Sequence, residues 1–597
     1  MKLYLYLFLL PVISLSAQNY TDYLGSGHSA GITVTASSSK TGPQGLQSLV
    51  NGKGLDDSLF DASRFLAQAS FGAKIDYITQ VKNMGFEPWI NDQFTKPASL
   101  IRPKLDTIWN MLYNIYISNG IPEEDIYGPA AVHFNYAYWD NNLKNADLLR
   151  HRVAEALSEI LVISYNSDLE GSAIALSSYY DMLLQNSFGN YKDLLMAVTK
   201  HPAMGYYLSH FQNRKTNVAE NTRPDENYAR EIMQLFTIGL VELNNDGTPK
   251  TDNQGNQIPT YDNEDIRQMA KIFTGFGASG VEPWVDWQIN DTFYIDFYAA
   301  KKDIPMKMYN NWHEPGEKII LKQLTIPSGQ SGMQDVDQAV DFLFNHPNTG
   351  PFISKKLIQR LVKSNPSPAY VDRVATVFNG GAGNPRGDMK ALIKAILLDP
   401  EARTRAGMER PDAGILRPPF LRMLHLMRTL DLEQPQNRYL HNGYSIIEDV
   451  GQHVMASPTV FNFYPPDFAP IGEISDNGLV APEFKLHNSS KSIRYLNSIF
   501  GTSFWGTAFW SWDGDYIPNP TVNYAHYISI ADDVEKMLRE ADILYTHGQM
   551  TDQTKAIIRQ ALKDMYWNWN NNYEWKHYRA GLLIYLTMIS PDYNILK

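Results

Sequence analysis

The chain has 597 residues, 44% hydrophobic and 19% charged, with a formal net charge of −12. That length buries a large core, and the acidic balance argues against a protein built to coat nucleic acid or an anionic membrane. The cysteine count is zero, which removes disulfides, thiolate nucleophiles, cysteine-ligated zinc, iron–sulfur clusters and thioether haem. Any chemistry falls to carboxylates, His, Ser/Thr, Tyr, Lys or Arg.

The chain opens with Met1 and Lys2, then an apolar run from Leu3 to Leu15, then Ser16-Ala17-Gln18. A single positive charge, a short apolar run and small residues form the pattern of a secretory signal peptide over 1–17. The run is shorter than the ~20 residues of a membrane-spanning helix. The expectation is an exported chain, periplasmic or extracellular, without a transmembrane anchor. Residues 18–57 are rich in Gly, Ser and Thr and read as an extended arm, with Gly31–Ala36 as a short strand and His28 in a surface turn.

Residues 58–597 read as one large helical domain. Apolar spacing predicts helices at 98–118, 145–164, 171–187 and 189–200. Another runs from Asp225 to Leu243, where Pro224, Asp225 and Glu226 mark a start. Asn245-Asp246-Gly247 and Asn253-Gln254-Gly255 are hairpin turn signals. Pro249 stands where an EF-hand loop needs glycine, which argues against calcium. Helix returns at 262–276, followed by a mixed β insertion at 281–330 with strand-like Phe293–Tyr298 and Ile319–Leu324. Further helices are expected at 333–345, 350–363, 368–379, 387–398 and 413–430. Residues 440–485 form a Pro- and aromatic-rich loop region, and 486–597 a helical, Trp-rich part. The fold class is mainly α: a large multi-helix single domain with a small β insertion and an extended N-terminal arm.

Three constellations carry candidate chemistry. On the helix from Asp225, Asn227 and Glu231 are four apart, and Glu226, Arg230 and Gln234 form the adjacent stripe. Two carboxylates, an Arg and an amide can supply an acid, a base and an anion clamp. The same set can equally be an ion-pair network tying helices together. The second is the loop-like Trp312-His313-Glu314-Pro315-Gly316, where a His beside an acid and an indole suits a general base, or a metal ligand if others converge. The third is Arg150-His151-Arg152. An Arg there can hold a carboxylate, sulfate or phosphate, or simply pair with Glu155 one turn on. The glycine run Gly380–Gly383 lacks the Gly-Lys-Ser/Thr ending of a phosphate loop. Six of the twelve Trp lie between Trp505 and Trp575, and the Asn-flanked Trp567 and Trp569 raise carbohydrate contact.

Asp225–Gly239, reading DENYAREIMQLFTIG, resembles the signature of a bacterial family of exported helical proteins catalogued as domain of unknown function eighteen hundred. Other segments are similar to that family in the same order. They include Arg64-Phe65-Leu66 with Ser70-Phe71-Gly72, Arg150–Ala154, Tyr179-Tyr180-Asp181 and His201-Pro202-Ala203. The series continues through Phe273–Phe276, His313–Lys318, His346-Pro347-Asn348, Ser364-Asn365-Pro366 and Ser590–Tyr593. Gln234, Asp225 and Glu314 depart from residues common in the family. The resemblance implies export and a neighbouring phosphatase- or sulfatase-like partner protein; it implies no reaction.

These observations predict a hydrolase or lyase acting on an extracellular polymer or anionic substrate. Glu226, Glu231 and His313 would be catalytic, and Asn227, Arg230, Arg152 and Glu314 would bind substrate. Metal and cofactor content stay open. The alternatives are a non-catalytic helical scaffold or binding partner, and a metal-dependent oxidoreductase.

Overall fold

Helices form where apolar residues recur at three- and four-residue spacing. The helix Asp57–Ala69 buries Phe60, Phe65, Leu66 and Ala69. The computed structural model describes residues 57–282, 292–405, 408, 410–430, 432–433, 449–505, 521–565 and 574–597. The expected signal peptide, the arm with its strand and His28, residues 440–448, and Trp510, Trp512, Trp567 and Trp569 lie outside these described residues.

The protein is mainly α. Among the described residues strands occur only in short antiparallel pairs. Predicted helices are found at Ile101–Ser118, Leu148–Ser158, Ala173–Asn186 and Tyr191–Lys200. Ala131–Lys144 is a helix that sequence periodicity does not flag. It buries residues on every side, among them Phe134, Trp139, Asn135 and Asn142, so it carries no one-sided apolar stripe. The β insertion holds two pairs, Phe276-Gly277 with Lys307-Met308 and Lys318–Ile320 with Leu324–Ile326. Phe293–Tyr298, expected as a strand, contains two 3-10 turns instead. The hairpin bridges Val241 to Pro259 and Thr251 to Gln257. Asp246 and Asp252 are taken up by their own turns, accepting N–H groups of Thr248, Gln254 and Asn256.

One hydrophobic cluster runs from Phe60 to Tyr593, with a small satellite of Ala278, Ile295 and Ala300. Ile415-Leu416 pairs with Ile595-Leu596, so the last residues close onto the middle of the chain. Polar residues of the motif segments named above act as splints between elements. Asp181 accepts the N–H groups of Ile101 and Arg102 at a helix start, at 2.6 and 2.9 Å. His201 caps the helix Pro202–Tyr207 through the N–H of Ala203. Asn348 donates to the carbonyls of Ile238 and Val241 and accepts from the N–H of Leu243. Asn365 and Val480 exchange two hydrogen bonds. Among the described residues no helix is long and apolar enough to cross a membrane.

Candidate functional site

The helix expected over 225–243 is only Asn227–Gln234. Past its end the chain unwinds: the N–H of Phe236 donates to the Glu231 carbonyl at 3.1 Å, those of Ile238 and Gly239 both donate to the Met233 carbonyl at 2.9 Å, and Gly239 has a left-handed φ of +70°. A Cβ on Gly239 would stand 2.7 Å from the Phe352 ring. Glycine at 239 thus lets this turn pack closely against the helix Thr349–Leu361.

That short helix separates its polar residues. Glu226 and Arg230 form an exposed pair at 3.4 Å, with Arg267 at 4.0 Å from Glu226. Asn227 is exposed, and its N–H donates to Asp225. Glu231, four residues on, is only 3% exposed. Its Oε2 is buried without a hydrogen-bond partner. Burial pushes this carboxyl up to about 7, against the pull of the Arg230 guanidinium. Two tyrosines feel its charge. Tyr207 and Tyr261 are both pushed up to about 12, first by burial and in part by Glu231. The Tyr261 hydroxyl donates to Gln234 at 3.2 Å, and the Tyr207 hydroxyl lies beside the Ser457 side chain.

His313 follows a 3-10 turn at Asn310–Trp312, in a loop as predicted, but its ring is 2% exposed. Nδ1 lies 2.9 Å from the Thr274 carbonyl, and Nε2 lies 3.0 Å from Asp335 Oδ2. Lys318 Nζ donates to that same carboxylate oxygen at 2.5 Å and to the Glu314 carbonyl. The His313 and Lys318 side chains hold the Asp335 carboxyl below its ordinary range despite burial, which pushes the other way. Glu314 spends its backbone N–H on Thr274 Oγ1 and its carboxylate on the N–H of Thr216. Among the described residues no hydrogen bond or ion pair links His313 to Glu226 or Glu231. His313 and the Glu226–Glu231 segment thus each bond to their own set of partners.

Arg152 belongs to a third. Its guanidinium donates to Glu155 and to the Arg360 carbonyl, and is 4% exposed. Arg360 reaches Glu159 at 3.2 Å and stacks 4.6 Å above Tyr464. Ser364 donates to Glu483 at 3.4 Å. Burial pushes Glu155 and Glu483 up to about 7, with Arg152 and Arg360 pulling each down respectively. A void of about 10 Å³ touches Glu155, Glu159, Gln452 and Ser457, room for one water at most.

Sequence reasoning missed Asp335, Glu159, Arg360 and Glu483 as partners. Asp335 carries one local signal, its place in the first turn of the helix Gly332–Asn345 after the Ser331 cap, and that signal points to helix capping. The others have none, because their partners are distant in sequence. Among the described residues no group of three or more His, Asp or Glu side chains is arranged to hold a metal ion.

Fold and site together define a helical protein whose polar motifs converge on buried carboxylate centres inside a single core. Residues 64–595 match the family described as protein of unknown function, DUF1800, and the chain belongs to that family. No curated protein and no solved structure matches it.

Proposed function

We propose that Glu231 is the proton-transferring group of an acid–base site, in an exported hydrolase or lyase acting on an extracellular polymer or anionic compound. One observation carries this reading: a carboxyl near 7, with one oxygen unpartnered, beside Arg230 and two tyrosines. Such a group both donates and accepts a proton near neutral pH. Arg230 is the anion-orienting cation, and Glu226 holds it in place. The signal-like residues 1–17 support export to the periplasm or beyond. The Asn-flanked Trp567 and Trp569 support carbohydrate contact.

The test is product release from a panel of anionic polysaccharides and of sulfated and phosphorylated sugars. Reducing ends report hydrolysis, and ultraviolet absorbance of an unsaturated product reports elimination. Glu231→Gln should keep the wild-type melting profile and lose about 10²-fold or more in turnover. A folded Glu231→Gln with full turnover would sink the proposal.

A second reading is a non-catalytic scaffold that binds a phosphatase- or sulfatase-like protein. It is favoured by the sealed ion clusters around His313 and Arg152. Turnover of no panel member by the wild type, with loss of folding in Glu231→Gln, selects it.

A further inference from the structure

The helix Thr349–Leu361 packs Phe352 against the turn at Gly239 and, further along, carries Arg360 to Glu159 and the Tyr464 ring. Gln359 donates to the Pro466 carbonyl at 3.2 Å, so the loop after Tyr464 is tied to the same helix. Lys356 lies between these anchors, one turn after Phe352 and one turn before Arg360. Its side chain is partly buried, and its Nζ sits 4.7 Å over the Phe352 ring.

Lys356 differs from the other described lysines that burial draws below their ordinary range. Lys302 pairs with Glu282 at 3.6 Å and donates to the carbonyls of Tyr298 and Ala300. Lys355, the preceding residue, is exposed and feels both Asp246 and Asp467. Among the described residues the Lys356 amine has no ion-pair or hydrogen-bond partner, only the aromatic face. Two charged groups act on it: Arg360, which disfavours its proton, and the exposed Asp467, which favours it. Burial, with Arg360 second, brings the amine down to about 8. A partly covered lysine beside another cation is the arrangement that supplies a neutral, nucleophilic amine near neutral pH.

We propose that Lys356 is a covalent site for a small aldehyde, which its amine holds as an imine. The lone pair of the neutral amine forms the N–C bond while the carbonyl π pair moves to oxygen. Nitrogen gives up two protons, oxygen gains two and leaves as water, and the C=N bond closes. The step needs no oxidant or reductant. An aldehyde, with one substituent on its carbonyl carbon, suits a partly covered amine better than a ketone with two. The Phe352 ring offers that substituent an apolar face. The site does not depend on Glu231 or on any turnover.

The experiment treats the full chain with glycolaldehyde and cyanoborohydride, which reduces an imine to a stable amine, and reads each lysine by peptide mass spectrometry. Lys322 is the internal reference: its side chain is 75% exposed, and its bond to Asp262 raises its amine. An amine near 8, instead of above the ordinary 10.5, has a far larger neutral fraction at pH 7, so Lys356 should be labelled at least about tenfold faster than Lys322. The ratio of the two rates should fall as pH is raised from about 7 to about 10, where both amines become neutral. Lys356→Arg, which keeps the charge, should retain the wild-type melting profile and lose this label while Lys322 keeps its own. Labelling of Lys356 no faster than that of Lys322 would overturn the proposal, and this comparison is made in the wild type, whether or not the variant folds. A ratio that stays flat across the pH range would overturn it as well, because the amine would then hold its proton like any surface lysine.

Discussion

His313 and Asp335 meet at 3.0 Å inside the fold, and Lys318 donates to the same carboxylate oxygen. All three are within 2% of complete burial. The cluster joins the β insertion to the start of the helix Gly332–Asn345. Removing one member leaves a buried charge without its partner, which costs about 3–5 kcal/mol. Lys318→Met is therefore expected to lower the unfolding free energy by about that amount in urea denaturation. A change within ~0.5 kcal/mol, typical of a surface substitution, would show that the cluster does not hold the insertion in place. The Asp335 carboxyl sits below its unfolded value, so its stabilising contribution is present above about pH 4 and is lost as pH falls through the folded value.

Glu155, Glu231 and Glu483 behave in the opposite sense. Each is pushed up to about 7 by burial. Between about pH 4 and 7 the folded chain holds more protons at these sites than the unfolded chain, so stability falls as pH rises through that window. Taken alone, each of these groups adds stability as pH is lowered through that window, by up to about 1.4 kcal/mol per pH unit, while buried histidines held below their ordinary range, such as His151, His201 and His210, oppose it below about pH 6.5. Glu231→Gln removes one titrating carboxyl and should change the slope of stability against pH by that group's share. Parallel pH profiles for wild type and variant would contradict the raised carboxyl on which the acid–base proposal stands.

Gly72 has a φ of +104°, and a Cβ there would lie 2.1 Å from His425 Cδ2. That imidazole accepts from Arg417, which also reaches His547. Gly72→Ala combines a disfavoured backbone with a collision against a ring already fixed by hydrogen bonds. We expect a loss of about 2–4 kcal/mol from strain and overpacking, read from denaturant midpoints. Wild-type stability in this variant would mean that His425 can move aside.

Arg230 and Glu226 are paired on the surface, each side chain about two-fifths exposed. Arg230→Ala should change stability by less than about 1 kcal/mol, since solvent screens such pairs. If Arg230 orients an anionic substrate, the same variant should raise KM for that substrate while leaving the melting curve unchanged. A large stability loss with no kinetic effect would assign it to structure alone.

How far the residues alone reach differs between elements and partners. Local signals placed most helices within a few residues, and the turns at Gly247 and Gly255 fell where Asn, Asp and Gly dictate. They failed where the decisive contact is remote. The turn after the Asn227 helix needs glycine at 239 in part because Phe352, 113 residues on in the chain, occupies the space a Cβ there would take. Ala131–Lys144 escaped notice because burial on all sides erases periodicity.

The candidate site divides in the same way. The motif residues were identifiable from their types and spacing, but spacing could not say which of them share a centre. Asn227 and Glu231 lie one turn apart, yet one faces solvent and the other is buried, because neighbouring elements cover only one of them. His313 was visible as a loop histidine, whereas Asp335 and Thr274, which fix its ring, are 22 and 39 residues away. Amino-acid order by itself determined the helical class, the caps, the turns and the cysteine-free chemistry, since those depend on neighbours within a turn or two. Tertiary structure decided which charges are buried, which are paired, and which, like Glu231, are left with an unpartnered oxygen. Burial and counter-charge are properties of what packs over a side chain, and residues far apart in sequence supply it.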